Sequence, residues 1–231
     1  MIAIILAGGL GTRLKTVVHD IPKPMAPINS KPFLEYLVTY LERNNVSNII
    51  LSVGYKSEII EAYFGHRFNN TEISYSFQIP PLGTGGAMKH AFEECLSDSV
   101  FVLNGDSFFG VDLSELKQCH SQSNADITIA LKQMNNADRY GVVEVDKGRV
   151  HSFLEKGKKD CGYINGGVYC VKTDIFDDYN LPDIFSFEHF LEDNSVDLKV
   201  FGFPSSSDFI DIGIPEDYSN AQELLPKWVL L

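Results

Sequence analysis

Four charged residues, Arg13, Lys23, Asp106 and Asp211, are the ones in this sequence whose types and settings could do chemistry together. Asp106 closes the apolar run "SVFVLNGD", at the kind of strand end where open α/β sheets present ligands. Asp211, in "FIDIGIPEDY", likewise follows strand-like residues and precedes a proline-initiated helix. Either carboxylate suits Mg²⁺, which is usually held by one or two carboxylates plus substrate phosphates, although taken singly an aspartate there serves a helix cap just as well. Arg13 lies in the glycine-rich stretch "LAGGLGTRL" (6–14), and its guanidinium offers a permanently charged fork for phosphate. Lys23, set between Pro22 and Pro24, is a second cation in a stiffened segment. A metal to neutralise charge and cations to hold a leaving pyrophosphate are the minimum for phosphoryl or nucleotidyl transfer.

The glycine-rich stretch follows a short apolar run, so its backbone N–H groups can close on an anion. It is not a dinucleotide fingerprint, because Leu14 stands where the third glycine of G-x-G-x-x-G should allow close helix packing. Nor is it a Walker loop: no G-x-x-x-x-G-K-[ST] occurs in the chain. Glycine pairs after a strand also serve as plain tight turns, so the loop alone leaves both readings open.

These residues need a scaffold, and the hydrophobic pattern supplies one. Ile2–Leu6 is β-branched and apolar throughout, as expected of a strand covered on both faces. From Pro32, Phe33, Leu34, Leu37, Val38 and Leu41 recur at helical spacing, with Ser30 as a candidate cap. Strand "NIILSV", a helix over 57–64, strand "EISYSF", a helix over 86–96 and strand "SVFVLN" follow. Such alternation calls for a parallel sheet with helices on both faces. Beyond Asp106 the runs "DITIAL", "YGVVEV", "RVHSFLE" and "GYINGGVYCV" crowd together, which predicts antiparallel or mixed pairing, with late helices over 185–192 and 215–225. The expected fold is α/β and Rossmann-like, a mixed, mainly parallel sheet flanked by helices with a strand-rich second half, in one domain over 1–231.

Bulk properties narrow the partners. With 231 residues and 44% hydrophobic content the chain can bury a full core. A net charge of −12 disfavours nucleic acid and anionic membranes, yet the first 31 residues carry four basic side chains against one acid and would draw a small anion. Cys95, Cys119, Cys161 and Cys170 have neither C-x-x-C nor zinc spacing and are expected to be reduced thiols. No apolar stretch has the length of a membrane span, so the expected location is cytoplasmic. His66 and His90 fit exposed positions, and Phe185, Phe187 and Phe190 fit a helix's core face.

Taken together, "LAGGLGTRL", "PKPM", "PLGTGGA", "NGD", "RYGVVEVD", "EK", "INGGVY" and "DIGIPEDY" resemble, in order from residue 6 to residue 218, the sugar-nucleotidyltransferases, or nucleoside-diphosphate-sugar pyrophosphorylases. The resemblance implies roles. Leu6, Ala7, Gly8, Gly9, Gly11 and Thr12, with Gln78, Gly83 and Thr84, would bind the nucleotide; Arg13 would hold its β and γ phosphates and Lys23 its α phosphate. Asp106 and Asp211 would hold Mg²⁺. Gly141, Glu155, Asn165 and Gly166 would meet sugar hydroxyls and Lys156 the sugar phosphate. The compact length and "NADRYGVVEVD…INGGVY" look most like the family's enzymes for surface-polysaccharide precursors that use GTP and D-glycero-α-D-manno-heptose 1-phosphate. Mannose 1-phosphate with GTP, glucose 1-phosphate with dTTP or UTP, and a non-catalytic sugar-nucleotide sensor are the alternatives. Family members often form homodimers. Departures are Lys15-Thr16-Val17-Val18 in place of x-P-L-T, Gly157 in place of a common proline, and Ile214 in place of Thr or Ser. None removes a charged group assigned to the chemistry.

Overall fold

The computed structural model describes residues 1–9, 20–154, 156–157 and 159–230. Gly11, Thr12, Arg13 and Glu155 therefore lie outside the described residues.

The first half alternates as its hydrophobic periods dictate. It runs β1 (Ile2–Leu6), a small hairpin β2 (Pro27–Ile28) and β3 (Lys31–Pro32), α1 (Phe33–Arg43), β4 (Asn48–Val53), α2 (Ser57–Phe64), β5 (Arg67–Phe68), β6 (Thr71–Phe77), α3 (Gly83–Phe92) and β7 (Ser99–Asn104). The second half contains β8 (Ser107–Phe109), α4 (Leu113–Gln122), β9 (Ile127–Met134), β10 (Val142–Asp146), β11 (Arg149–Leu154), β12 (Gly162–Lys172), α5 (Phe187–Asn194), β13 (Val200–Ser205), β14 (Phe209–Asp211) and α6 (Pro215–Leu230). One sheet carries most strands, in the order β10-β11-β13-β9-β12-β7-β1-β4-β6-β5. Among the described residues parallel pairing is confined to the block β7-β1-β4-β6 and to β9 with β13; β12 lies antiparallel to both β7 and β9 and joins the halves. The α/β, Rossmann-like mixed sheet is as expected, but it is not mainly parallel: among the described residues antiparallel pairings outnumber parallel ones, because the closely spaced strands after Asp106 return on one another.

Central β1 is buried on both sides. Ala3 and Ile5 face the core under α1, α4 and α6, where Phe33, Leu34, Leu116 and Leu225 pack. Ile4 faces the core under α3 and α5, with Met88, Ala91, Phe187 and Phe190. Burying one Ile or Phe side chain is worth about 1.5–3 kcal/mol, so both layers hold the strand ends in place.

Several boundaries differ from the sequence-based expectation. Ser30 does not cap α1: it takes a left-handed conformation (φ 70°) in the β2–β3 turn, and Pro32 occupies the cap position. Helix α3 starts at Gly83 and ends at Phe92, three to four residues ahead of the predicted span. Helix α5 starts two residues late, after Ser186, whose Oγ accepts from the His189 N–H (3.3 Å) and so sets the start. Helix α4, capped by Asp112 through the N–H groups of Ser114 and Glu115, was not anticipated: its exposed positions outnumber its apolar ones and blur the period. Among the described residues no helix is long and apolar enough to cross a membrane.

Candidate active site

The C-terminal ends of β1, β6 and β7 open into a cavity of about 620 Å³, a size that takes a nucleotide. Leu6, Gly8 and Gly9 form one wall where the chain leaves β1. Gln78 forms a second, Gly83, Thr84 and Ala87 of α3 a third, and Lys23, Asn104, Gly105 and Asp106 the floor. Residues distant in sequence thus meet because parallel strands all end on one side. Ala7, also expected here, is buried at the rim with its N–H donated to Ser52 O (2.8 Å).

Lys23 is the electrostatic centre. It begins a short 3₁₀ turn (Lys23–Met25), and its side chain is only 9% exposed. Its ammonium donates to Asp106 Oδ2 at 2.7 Å and lies 3.9 Å from Asp211 Oδ1. Asp211 reaches this point because β14 pairs antiparallel with β8, setting Asp211 opposite Ser107. Burial pushes the Asp211 carboxyl above the ordinary aspartate range, the neighbouring charge of Asp106 adds to this, and Lys23 opposes both.

Two carboxylates forced together are short of positive charge, and a hard cation such as Mg²⁺ fits that donor set. Among the described residues no group of three His, Cys, Asp or Glu side chains could hold a metal unaided. A cation at Asp106 and Asp211 would therefore take its remaining ligands from substrate and water.

The opposite wall is neutral and specific. Gln78 is 7% exposed, and its Nε2 donates to Ser52 Oγ at 2.8 Å, which fixes the amide plane. A Cβ at Gly8 would lie 2.7 Å from that same Nε2, so a larger residue there would have to push the amide off Ser52. Its polar edge and the flat backbone beside it suit a planar heterocycle.

The described residues expected at the sugar, Gly141, Asn165, Gly166 and Lys156, stand apart from this cavity's lining. Asn165 lies on β12, where its Nδ2 donates to the Tyr169 hydroxyl at 2.8 Å and its Oδ1 accepts from Gly167 N–H at 3.0 Å. Gly167, the donor of that bond, lies so close to Asn104 that a Cβ on it would sit 2.9 Å from Asn104 Nδ2, and Asn104 does line the cavity, so Asn165 and the cavity floor are one step apart. Gly166 packs so closely on Phe109 that a Cβ would sit 2.2 Å from the ring. Gly141 precedes β10 near Leu154 O, and Lys156 is exposed. Asp211 does not line that cavity itself: it touches it through Lys23 and lines an adjoining hollow of about 340 Å³ with Arg139, Tyr140 and Asp217, where Arg139 pairs with Asp217 at 2.7 Å.

Sequence reasoning passed over Asn104, Ala87 and Glu188. Asn104 was visible as part of "NGD"; Glu188 lies in an ordinary amphipathic helix 82 residues further on and offered no signal.

A sheet whose parallel strands converge on a cation between two aspartates, facing a buried amide, is the arrangement of a nucleotide-handling transferase, and comparison agrees. The chain belongs to the nucleotidyl transferase family, whose profile matches residues 2–226. It is 49% identical over 230 residues to D-glycero-alpha-D-manno-heptose 1-phosphate guanylyltransferase of Aneurinibacillus thermoaerophilus, covering 99% of this chain and all of the relative. It is 52% identical over 219 residues to the protein of that name from Campylobacter jejuni subsp. jejuni serotype O:2, covering 94% and 97%. The crystal structure of HddC from Yersinia pseudotuberculosis superposes with a TM-score of 0.86 at 40% identity over 96% of this chain and 98% of that one. HddC complexed with GMP-PN gives 0.83 over the same coverage.

Proposed function

We propose that the chain transfers GMP from GTP to D-glycero-α-D-manno-heptose 1-phosphate, releasing pyrophosphate and forming a GDP-heptose for surface polysaccharide. What carries the reading is the cavity with Lys23 and Asp106 at its floor, Asp211 beside Lys23, and Gln78 on its wall. Its support is identity of about 50% over nearly the whole chain to two relatives of that name. The 1–231 chain would act as a single nucleotidyltransferase domain in the cytoplasm.

In this reading an oxygen of the sugar phosphate attacks the α phosphorus of GTP in line. The new O–P bond forms as the bond from the α phosphorus to the bridging oxygen breaks, and that electron pair leaves on pyrophosphate. The attacking oxygen is already anionic near neutral pH, so no general base is needed. The task is to align two anions and offset their repulsion. Lys23 would reach from Asp106 to the α phosphate, and Arg13 would hold the β and γ phosphates. Mg²⁺, when held by Asp106 and Asp211, supplies charge neutralisation on the triphosphate. Leu6, Gly8, Gly9, Gln78, Gly83 and Thr84 would seat the nucleoside. Gly141, Glu155, Asn165 and Gly166 would seat the sugar and Lys156 its phosphate.

The test is pyrophosphate release with Mg²⁺ across a grid of GTP, ATP, CTP, UTP and dTTP against heptose, mannose and glucose 1-phosphates. Release confined to GTP with heptose 1-phosphate is the expected result. Release with another pair would keep the reaction and replace the substrates, and none with any pair would overturn the transfer reading in favour of a sensor. In the same assay Asp106→Asn should nearly abolish turnover with the circular dichroism spectrum unchanged.

A further inference from the structure

The two edges of the large sheet are built differently. Edge strand β10 is guarded: it carries Glu144 and Asp146, its ladder with β11 shifts register between Glu144 and Val145, and Val142 and Val143 also pair with β12. Charges and bulges are the usual protection of a strand edge against pairing with another chain. The strand β6, near the opposite edge, has neither. Its register with β4 runs without a shift from Glu72 to Phe77, and the short edge strand β5 covers only Thr71 and Glu72. The stretch Ser74, Tyr75, Ser76 and Phe77 holds no charged side chain and no proline.

The ladder fixes where each backbone group of β6 points. Glu72 N–H donates to Ser47 O at 3.0 Å and Gln78 N–H to Val53 O at 2.8 Å, so the even-numbered residues turn toward β4. The N–H and C=O of Ile73, Tyr75 and Phe77 therefore turn outward. Ile73 N–H is taken, donating to His66 O at 3.0 Å. Among the described residues no hydrogen bond reaches the N–H or C=O of Tyr75 or Phe77. The side chains along this edge are apolar: Phe77 is 44% exposed, Ile79 just beyond it is 84% exposed, and the Tyr75 and Phe77 rings stack with centroids 6.2 Å apart.

We propose that the edge of β6 at Tyr75 and Phe77 docks a second copy of this chain, the two β6 strands pairing antiparallel about a twofold axis at Ser76. Self-complementarity selects a second copy. With the axis there, Tyr75 stands opposite the partner subunit's Phe77 and Phe77 opposite the partner subunit's Tyr75, and each pair exchanges both of its outward backbone bonds. The stacked rings of each copy then meet across the seam on one face of the sheet, the kind of aromatic cross-strand pair that stabilises a ladder. An axis at Tyr75 would instead call on the Ile73 N–H, which His66 already holds. The charge of −12 on each chain opposes association, but none of it lies in the paired stretch, so the repulsion is long-range and weakened by salt.

Sedimentation velocity of the purified chain at tens of micromolar should give twice the chain mass. Phe77→Pro is the diagnostic variant, because proline is accepted on an edge strand whose N–H faces out: it deletes one outward donor and leaves the ladder with β4 intact. Phe77→Lys adds the charge that the edge lacks. Both should sediment at half the wild-type mass with the circular dichroism spectrum unchanged, while Leu96→Lys, at an exposed position between α3 and β7, should keep the wild-type mass. In hydrogen exchange the Tyr75 and Phe77 amides of the wild type should slow by about tenfold or more as concentration rises through the association range. A wild-type chain at the single-chain mass overturns the proposal, as does a dimer that survives both Phe77 variants. If either variant fails to fold, the wild type decides alone: exchange at these two amides that is indifferent to concentration places the contact elsewhere and overturns the proposal.

Discussion

At the scale of single residues, Lys23 holds two aspartates that would otherwise repel each other, and it is nearly buried while doing so. Removing a buried cation from such a group leaves its partners uncompensated. Lys23→Ala should therefore lower kcat by roughly a hundredfold or more in the pyrophosphate assay, the usual cost of one charge-stabilising contact. Lys23→Arg should recover little, since a planar fork cannot replace a point charge 2.7 Å from one carboxylate and 3.9 Å from the next. Lys23, Asp106 and Asp211 were legible in the sequence because each sits at an abrupt change of texture, a cation between prolines or an acid ending an apolar run. Gln78 and Asn165 were legible only through family resemblance. Glu188 was not legible at all, for an acid near the start of a helix is ordinary helix chemistry, and its meaning comes from Thr84 on another helix.

At the scale of elements, the parallel block could be read directly, since β1, β4 and β7 are apolar runs buried on both faces and leave no ambiguity of period. The beginning of α3 could not. Its first turn is glycine-rich because another segment lies against it: a Cβ on Gly86 would meet the carbonyl oxygen of Asp183 at 2.3 Å. Nothing local announces that contact. Gly86→Ala should push away the stretch that leads into α5, costing about 1–3 kcal/mol by overpacking. The expected signature is a melting temperature lowered by several degrees with the circular dichroism spectrum unchanged.

At the scale of the molecule, the balance of charges makes stability depend on pH through a group remote from the cavity. His120 on α4 is 5% exposed, and its Nδ1 lies 3.0 Å from Thr128 Oγ1 on β9. Burial, aided by nearby Lys172, lowers its pKa to about 4, from an ordinary value of 6.5. The folded protein therefore resists a proton that the unfolded chain accepts, so stability is complete above pH 6.5 and falls as pH drops toward 4. By pH 5 the loss should be on the order of 1 kcal/mol, a few degrees in melting temperature. His120→Gln, melted at pH 7 and pH 5, should show a smaller drop between the two than wild type.

The antiparallel seam between β7 and β12 has a mechanical meaning for a reaction between two separate molecules. Because hydrogen bonds run unbroken from β6 through β12, the places proposed for base and sugar would be gauged by strand spacing, as marks on a ruler are by its divisions. A rigid gauge cannot stretch to suit a longer sugar or close on a shorter one. Adjustment to the substrate falls to the segments between strands, and exchange of those segments, with the sheet untouched, is the route by which one scaffold would come to serve a different sugar.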